Sequence, residues 1–264
     1  MEVVLTHQAR LVMLIALCGL LWALESIIPL YRFRNSRVRH AIPNVALTLL
    51  LVITNLGLSF SSAYLADFSV RHGIGLFPLL GFPSWGQVIF GVFALDLFAY
   101  FAHVLLHKSW LGWQFHRVHH SENAVDVTTA FRQHPGETVW RVFWQLAAIV
   151  LFGIPLWIVV VYLIFSGINA ELEHANIRLN RRVDWCLRLL VVTPNMHKVH
   201  HSRDQIETDS NYSNIFSIWD RLFGTYTRAI DFHKLSYGLD GFDVEERQTL
   251  TGLLKMPFTK YNRA

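Results

Sequence analysis

Residues 142–170 read VFWQLAAIVLFGIPLWIVVVYLIFSGINA and contain no charged side chain. As one straight helix, these 29 residues would extend about 43 Å at ~1.5 Å per residue, well beyond the ~30 Å hydrocarbon core of a bilayer. Gly153-Ile154-Pro155 lies near the middle of the stretch, and Gly and Pro interrupt helices. The stretch therefore predicts a hairpin of two helices whose outer ends lie on the same side of a membrane.

Three other apolar runs precede this hairpin, at residues 11–30, 44–66 and 85–107. Each is close to the ~20 residues that span a hydrocarbon core. Hydrophobic residues make up 53% of the chain and charged residues only 16%, against roughly 25% in globular proteins. We therefore predict an all-α integral membrane protein with about four membrane-embedded segments, the last of them the hairpin. The composition argues against a soluble enzyme, a disordered chain and a disulfide scaffold.

Lys and Arg residues are concentrated in three of the regions between these runs. Residues 31–44 hold four, residues 107–138 hold three and the chain from 171 onward holds thirteen, whereas residues 67–84 hold only Arg71. Because cytoplasmic loops are enriched in Lys and Arg, the first three regions are predicted to be cytoplasmic and residues 67–84 to lie outside. The net charge of +4 then reflects topology, and no nucleic-acid partner is predicted. The expected location is a bacterial inner membrane or an intracellular membrane.

Histidine is the second unusual feature, with fourteen His residues against two Cys. Cys18 and Cys186 are far apart and fit neither a thiolate metal site nor a disulfide framework. Nine histidines fall into tight groups, namely His103 and His107 in HVLLH, His116, His119 and His120 in HRVHH, His174, and His197, His200 and His201 in HKVHH.

Residues three and four positions apart share one face of a helix, so each of these motifs directs its histidines together. A single HxxxH motif is often only an interfacial pair, but neutral imidazole is also a common ligand of transition metals. Nine imidazoles are about right for two metals with four or five ligands each. The hairpin returns His174 to the side that holds the other motifs, which predicts a His-rich helical cap on the cytoplasmic face.

Further motifs accompany the histidines along residues 85–226: DLFAYFAHVLLH from Asp96, FHRVHH from Phe115, RQHP from Arg132, HAN from His174, MHKVHH from Met196, NY from Asn211 and IWDRLFGTY from Ile218. In these motifs the sequence resembles the fatty acid hydroxylase/sterol desaturase superfamily of membrane oxygenases. Residues 1–84 match it only as generic spanning helices. We expect one membrane domain, in which spanning helices (1–84) precede a catalytic core (85–226) and a cytoplasmic tail (227–264).

The resemblance implies a dinuclear non-haem iron centre that activates O₂ with two external electrons and attacks a C–H bond of a lipid. The implied metal ligands are His103, His107, His116, His119, His120, His174, His197, His200 and His201. His134 is matched less securely, either as a ligand or as a residue that supports one. Zinc can replace iron on expression, because imidazole sites follow metal availability as well as preference.

Acidic residues near the motifs have two readings each. Asp96 shares a helical stripe with His103 and His107, so we expect its carboxylate to orient a ligand histidine; the alternative is an interhelical hydrogen bond. Asp126 and Glu137 are either carboxylates of that kind or solvated loop charges. Glu25 is expected to make a helix–helix or interfacial contact, and Asp220 to cap or stabilise the fold.

Arg117 and Lys198 occupy equivalent places in the two HxxHH motifs, where they are expected to contact lipid headgroups or solvent. His7, His40, His72 and His233 are expected to be ordinary surface residues. No dinucleotide fingerprint, haem motif or iron–sulfur cysteine set is present in the sequence. Electrons are therefore expected from a separate donor, such as a ferredoxin, a cytochrome b5-like protein or a reduced pterin.

The expected function is O₂-dependent hydroxylation of a sterol, fatty acyl chain or related lipid that reaches the site from within the bilayer. Three alternatives remain open at this point. The same site could desaturate the lipid, the histidines could belong to a metal transporter or store, or the protein could be a zinc-dependent membrane hydrolase.

Overall fold

The computed structural model describes residues 2–33, 36–228 and 235–260, and their side chains from residue 12 onward. Within these residues the regular structure is helical, with no β-strand and two isolated bridges. The helices are α1 (Glu2–Ile27), α2 (Arg37–Arg71), α3 (Leu76–Leu79), α4 (Ser84–Lys108), α5 (Trp110–His120), α6 (Pro135–Phe152), α7 (Leu156–His174), α8 (Arg181–Leu187), α9 (Pro194–His200), α10 (Gln205–Thr208), α11 (Ile218–Leu222) and α12 (Leu250–Lys255). Short 3₁₀ turns cover Val127–Phe131, Glu245–Gln248 and Met256–Phe258.

Three segments of the described chain are long and apolar enough to cross a membrane: Arg37–Leu79, α4 and α7. Helix α1 carries a shorter apolar segment, Val12–Ile27. Large apolar side chains on these helices face outward, including Leu49, Ile53 and Phe60 of α2, which are 63%, 67% and 73% exposed. An exposed apolar surface of this extent requires a hydrocarbon environment. The prediction of an all-α membrane protein is confirmed.

The hairpin forms where the sequence predicts it, between α6 and α7. Gly153 follows α6 with a φ of +70°, and Pro155 precedes the first residue of α7. The tip of the hairpin lies against residues 74–78, where a Cβ on Gly153 would lie 2.4 Å from the Ile74 carbonyl oxygen. Glycine is required here both by the left-handed backbone and by this close approach.

The main apolar core lies between α2, α4, α6 and α7. Several of its members are small, such as Ala66, Ala94 and Ala148, which lets helix backbones approach closely within a membrane. The buried core residues are Ala66, Phe77, Ala94, Leu95, Ala148, Ile149, Ile154, Ile158, Val159, Tyr162 and Ile215. This core holds the ends of α4 and α7 in fixed positions at the end of the molecule opposite the hairpin tip.

Helix α5, the short helices α8 to α12 and residues 235–260 cap that opposite end. A second apolar cluster joins α2 and α5 to the C-terminal residues, and its members are Leu47, Trp113, Val118, Leu239, Phe242, Leu253 and Met256. The described part of the predicted tail is therefore packed against α5.

The two basic residues inside the HxxHH motifs are fully buried in this cap. Arg117 donates to the carbonyl oxygens of Met256 and Thr259, and Lys198 donates to those of His174 and Ala175. The expectation that they contact solvent or headgroups is wrong, because the cap supplies backbone acceptors for both. Burial lowers the pKa of Lys198 to about 8, so its ammonium group is still charged at neutral pH.

The expectations for Glu25 and Asp220 are confirmed. Glu25 pairs with Arg37 and accepts from the backbone amides of Val127 (2.8 Å) and Asn176 (2.7 Å), a contact between segments as expected. Asp220 accepts from the backbone amides of Tyr212 (2.8 Å) and Ser213 (3.0 Å), which stabilises the fold as predicted.

The four histidines outside the motifs behave differently from one another. His72 is exposed, as expected of a surface residue. The same expectation for His40 is wrong, because it is partly buried and lies 3.4 Å from a carboxylate oxygen of Glu122. The side chain of His7 and the whole of His233 lie outside the described residues.

The energetic cost of the close approach at the hairpin tip can be separated from the cost of backbone strain by substituting two glycines, Gly153 and Gly81. Gly81 has a similar φ of +64° but open space around its missing Cβ. A left-handed Ala costs ~1–2 kcal/mol at either position, and Gly153→Ala should cost a further ~1–3 kcal/mol because its methyl group meets Ile74. Thermal unfolding in detergent micelles should show the larger loss for Gly153→Ala. Equal losses would contradict the packing of the tip against residues 74–78.

Candidate metal centre

The histidines come from four helices that end at the capped side of the molecule. His103 and His107 lie in the last turns of α4, and a sharp turn at Ser109 folds α5 back beside them. Gly112 makes this turn possible, because a Cβ there would lie 2.7 Å from the Leu105 carbonyl oxygen. His174 ends α7, and α9 brings the HKVHH motif to the same place.

All nine motif histidines are at most 5% exposed, and they form two compact groups. Group A contains His103, His107, His116, His120 and His200. Group B contains His119, His174, His197 and His201. Within each group the available nitrogens lie within 4.8 Å of one another. Each HxxHH motif contributes its first and last histidine to one group and its middle histidine to the other, so the two groups share the same helices.

Backbone carbonyls fix the orientation of several rings. The Nδ1 atoms lie 2.8 Å from the Tyr212 oxygen in His103, 2.7 Å from the Ser210 oxygen in His200 and 2.7 Å from the Ala170 oxygen in His174. Because a carbonyl oxygen only accepts, each of these Nδ1 atoms donates its proton. The Nε2 atom of each ring is then left with a lone pair that points into its group.

Carboxylates take the same role for two histidines of group A. Glu137 lies 3.0 Å from Nδ1 of His116, and Asp209 lies 3.2 Å from Nδ1 of His107. For Glu137 the structure supports the first of its two readings, a carboxylate that supports a motif histidine. Asp209 was missed by the sequence analysis, since it lies in no recognisable motif and reaches His107 only in the folded chain.

Asp126 does not support a motif histidine. It caps the 3₁₀ turn that begins at Val127, accepts from Thr128, and lies 3.6 Å from His40. It is fully buried, so the reading as a solvated loop charge is wrong as well.

The Nε2 atoms face one another at short distances. His174 Nε2 lies 3.1 Å from His119 Nε2, 3.1 Å from His201 Nε2 and 3.0 Å from His197 Nε2, and His103 Nε2 lies 3.1 Å from His116 Nε2. In the His103–His116 and His174–His119 contacts, the Nδ1 atoms of both rings face carbonyl or carboxylate oxygens and hold the protons. These two contacts therefore bring lone pairs together. Two nitrogens at ~2.1 Å from one metal ion and 90° apart are about 3.0 Å from each other. The donor set therefore fits a cation in each group.

The protonation state of the cap histidines agrees with this fit. Burial away from water, together with neighbouring imidazoles, lowers the pKa of His119, His120 and His201 well below the ordinary value. These rings are neutral at neutral pH, which is the form that binds metals.

Asp96 does not orient a histidine, and the expectation that it does is wrong. Its carboxylate accepts from the backbone amides of Ile215 (3.1 Å) and Phe216 (3.0 Å) and from the indole of Trp219 (2.8 Å). Asp96 lies on the same helix as His103 but about 10.5 Å earlier along the axis, at ~1.5 Å per residue. It therefore ties the segment before α11 to α4, which is close to the alternative reading of an interhelical hydrogen bond.

His134 belongs to neither group. It caps α6, where its Nδ1 atom accepts from the Gly136 amide at 3.0 Å, and its ring lies against Phe115 with centroids 5.1 Å apart. The structure thus gives His134 a local role at the start of the hairpin.

A cavity of about 890 Å³ lies beside the histidines. Tyr31, Arg39, Glu122, Arg132 and Tyr237 are among its lining residues, and no group A or group B histidine lines it. Arg132 forms part of the wall between this cavity and the histidines, because its backbone oxygen lies 3.3 Å from Nδ1 of His119.

Comparisons with known proteins bear on the same region. The family model described as fatty acid hydroxylase matches residues 88–225, which is more than half of the chain and includes all nine motif histidines. An alkylglycerol monooxygenase of Xenopus tropicalis is 32% identical over 159 residues, covering 59% of this chain and 33% of that protein. An ornithine lipid hydroxylase of Rhizobium tropici is 28% identical over 184 residues, covering 69% and 53%.

A methylsterol monooxygenase of Arabidopsis thaliana is 27% identical over 171 residues, covering 61% of each chain. The chain thus matches between about a third and three fifths of the length of these relatives. No solved structure matches the chain significantly.

The division into two groups can be tested with neighbouring histidines. His200→Ala removes a donor from group A and His201→Ala removes one from group B, so each variant should lose about one of two bound metal ions while keeping the other. His134→Ala should keep both, because His134 contacts neither group. Metal content per purified chain, measured by plasma mass spectrometry, gives the result. Loss of both metals in His134→Ala would contradict the assignment.

Asp96→Asn should lower stability without removing metal. The amide cannot accept from three donors as the carboxylate does, so the free energy of unfolding should fall by ~1–3 kcal/mol. Thermal unfolding and metal analysis of the same preparation separate the two effects. Metal loss at unchanged stability would instead restore the reading in which Asp96 supports a ligand.

Proposed function

The chain belongs to the fatty acid hydroxylase family, and from this premise we propose that it is a membrane-bound, O₂-dependent lipid hydroxylase with a dinuclear iron centre. The observation that carries the proposal is the convergence of nine buried imidazoles into two groups, in each of which the ligand nitrogens lie within 4.8 Å of one another. The net reaction consumes a lipid C–H bond, O₂, two electrons and two protons, and yields a lipid C–OH group and water.

The five histidines of group A and the four of group B would each hold one iron ion. When bound, the iron pair would supply the binding and reduction of O₂ and the oxidation of an unactivated C–H bond. Imidazole is a suitable ligand for iron, and nine neutral ligands leave both ions positively charged.

The protein's own part is to orient and protect these ligands. Carbonyl oxygens of Tyr212, Ser210 and Ala170 keep the protons of His103, His200 and His174 on Nδ1, so that Nε2 stays available. Glu137 and Asp209 do the same for two further rings and increase their basicity. The burial of all nine rings excludes bulk water from the place where a reactive oxidant would form.

The substrate would be a lipid that stays in the bilayer throughout. The relatives are, by name, hydroxylases or monooxygenases of alkylglycerols, ornithine lipids and methylsterols. These molecules share a long or bulky hydrocarbon part and a polar end, rather than one headgroup. The outward apolar faces of α2, α4 and α7 place this chain in the same medium as such substrates.

The active site would face the cytoplasm. The histidines lie at the same end as residues 36–44 and 107–138, because Asn44 donates to Glu122 (3.0 Å) and Thr128 (2.9 Å). Residues 74–78 and the hairpin tip lie at the other end. The Lys- and Arg-rich loops thus share the side of the histidines, and such loops favour the cytoplasm. A separate donor on that side would supply the electrons.

Lipid analysis tests the proposed reaction directly. Cells that produce the wild-type chain should contain a lipid that has gained one oxygen atom and that is missing from cells producing His200→Ala. Product formation should stop without O₂, because O₂ is a substrate. His72→Ala is the matched control, since His72 is exposed and remote from both groups. Mass spectrometry distinguishes this product from a desaturated lipid, which has lost two hydrogens. A lipid profile that is identical in wild type and His200→Ala would rule out the proposal.

A further inference from the structure

Residues 214–219 lie beside the middle of α4, well below its capped end. Asp96, which binds this segment, is the central residue of α4 and lies about 18 Å from either end of the helix at ~1.5 Å per residue. The ring of Phe216 stacks on that of Phe93, with centroids 4.4 Å apart, and Phe93 is further still from the capped end. Because α4 is long and apolar enough to cross a membrane, the segment reaches the depth of the hydrocarbon core.

Helix α7 gives the same depth independently. The side-chain amide of Asn214 donates to Tyr162 Oη at 3.2 Å and to Ser166 Oγ at 2.9 Å. At ~1.5 Å per residue, Tyr162 lies about 18 Å and Ser166 about 12 Å before His174, the last residue of α7. Two spanning helices therefore place the same segment below the histidines and within the bilayer.

The outer surface of this region is apolar. The chain between α8 and α9 pairs with the segment, because the Val192 amide donates to the Ile215 oxygen (2.9 Å) and the Ser217 amide to the Leu190 oxygen (3.2 Å). The side chains of Leu190 and Leu222 are 71% and 66% exposed. We name this patch the α8–α11 surface, and its members are Leu189, Leu190, Ile218, Leu222 and Phe223, all of them exposed.

The backbone of this region is paired in the way that hydrocarbon requires. A membrane core has no water to bind amides or carbonyl oxygens, so irregular backbone lies there only when its polar groups have partners in the protein. The amides of Ile215 and Phe216 donate to the Asp96 carboxylate. The Arg188 carbonyl oxygen accepts from Ser217 Oγ (2.7 Å) and from the Arg221 guanidinium (2.6 Å). These contacts allow a non-helical segment to sit beside α4 in an apolar medium.

Basic residues border the α8–α11 surface on the side of the cap. Arg178, Arg181 and Arg182 are exposed, and within the part of the chain that the structure describes none of them lies within 4.0 Å of a carboxylate oxygen. The Arg178 amide donates to the Ile28 oxygen at 3.0 Å, next to the end of α1, so these arginines are level with the ends of α1 and α7. Trp185 on α8 is exposed as well. Arginine and tryptophan beside an apolar face are typical of the boundary between headgroups and acyl chains.

We propose that the α8–α11 surface is embedded in the acyl chains of the leaflet on the capped side, so that its partner is the lipid bilayer. The surface belongs to none of the three segments that are long enough to cross a membrane. The chain from residue 171 onward, which the charge pattern assigns to the cytoplasm, then enters the bilayer again without crossing it. The inference concerns the position of the surface and does not depend on the metals or on the reaction.

Nitroxide spin labels measure this depth. In a chain whose two cysteines are replaced by serine, Leu190→Cys and Leu222→Cys each carry one label at an exposed site. The protein is reconstituted in vesicles of phosphatidylcholine and phosphatidylglycerol. Collisions of the label are then measured with O₂, which concentrates in hydrocarbon, and with a water-soluble nickel complex. Both labels should be accessible to O₂ and protected from the nickel complex.

Two exposed isoleucines are matched controls. Ile206 of α10 is 80% exposed but lies at the capped end, near Asp209, which pairs with Lys108 at the end of α4. Ile53 of the spanning helix α2 is 67% exposed. The ratio of O₂ to nickel accessibility at Leu190→Cys should resemble that at Ile53→Cys and exceed that at Ile206→Cys by about tenfold, because the apolar and the charged reagent partition oppositely between lipid and water.

Two results would overturn the inference. A ratio at both leucine positions equal to that at Ile206→Cys would place the α8–α11 surface in water. Protection of both labels from O₂ and from the nickel complex would show that protein, such as a second copy of the chain, covers the surface instead of lipid. All four sites are exposed side chains outside the two histidine groups, so the labels leave the packing of the core unchanged.

Discussion

The inward-facing lone pairs of the buried imidazoles are the interaction on which the capped end of the molecule depends. All nine rings are at most 5% exposed, and several pairs of their Nε2 atoms are about 3.0–3.2 Å apart. Where both nitrogens carry a lone pair, they repel one another unless a cation lies between them. On the opposite side of several rings, the Nδ1 atom donates a hydrogen bond, in most cases to a backbone carbonyl oxygen. These hydrogen bonds hold the rings in place. Those carbonyls belong to segments that are themselves fixed by Asp96, Asp220 and the buried Lys198. The candidate metal centre is thus supported by polar contacts that reach through the whole cap.

The hairpin supplies the other half of that support. It enters the membrane beside Glu137, turns at Gly153 and returns to end at His174, so one element brings a carboxylate to group A and a histidine to group B. The hydrocarbon environment demands that all backbone groups in these helices bond within the helix. The hairpin is therefore a stiff element, and its two ends keep a fixed separation at the capped side.

The sequence predicted those features that depend on one helix at a time. The length of the uncharged stretch 142–170 and its Gly153-Ile154-Pro155 interruption were enough to predict the hairpin. The i, i+3 and i, i+4 spacings were enough to predict that nine histidines come together. The sequence could not show how the histidines divide, because His119 and His120 are adjacent in α5 and yet join different groups. That division depends on how α5 is rotated against α4, α7 and α9. The prediction that Asp96 orients a histidine is wrong for a related reason. Asp96 is on the same helix as His103 and His107 but too far from them along the helix axis. Helical periodicity does not show which loop packs against the helix at the level of Asp96.

The carboxylates near the histidines also could not be predicted from the sequence, and they make group A and group B chemically different. Asp209 and Glu173 lie in no motif, and each is near its histidine only because distant helices meet. Negative charge that acts through a histidine ring raises the basicity of the ligand but leaves the ion's coordination unchanged. In group A the carboxylates of Glu137 and Asp209 hold His116 and His107, whereas in group B the Nδ1 atoms of His174 and His119 face the carbonyl oxygens of Ala170 and Arg132. Two rings of group A are therefore the more basic ligands, so the two groups differ chemically although both are built of imidazole.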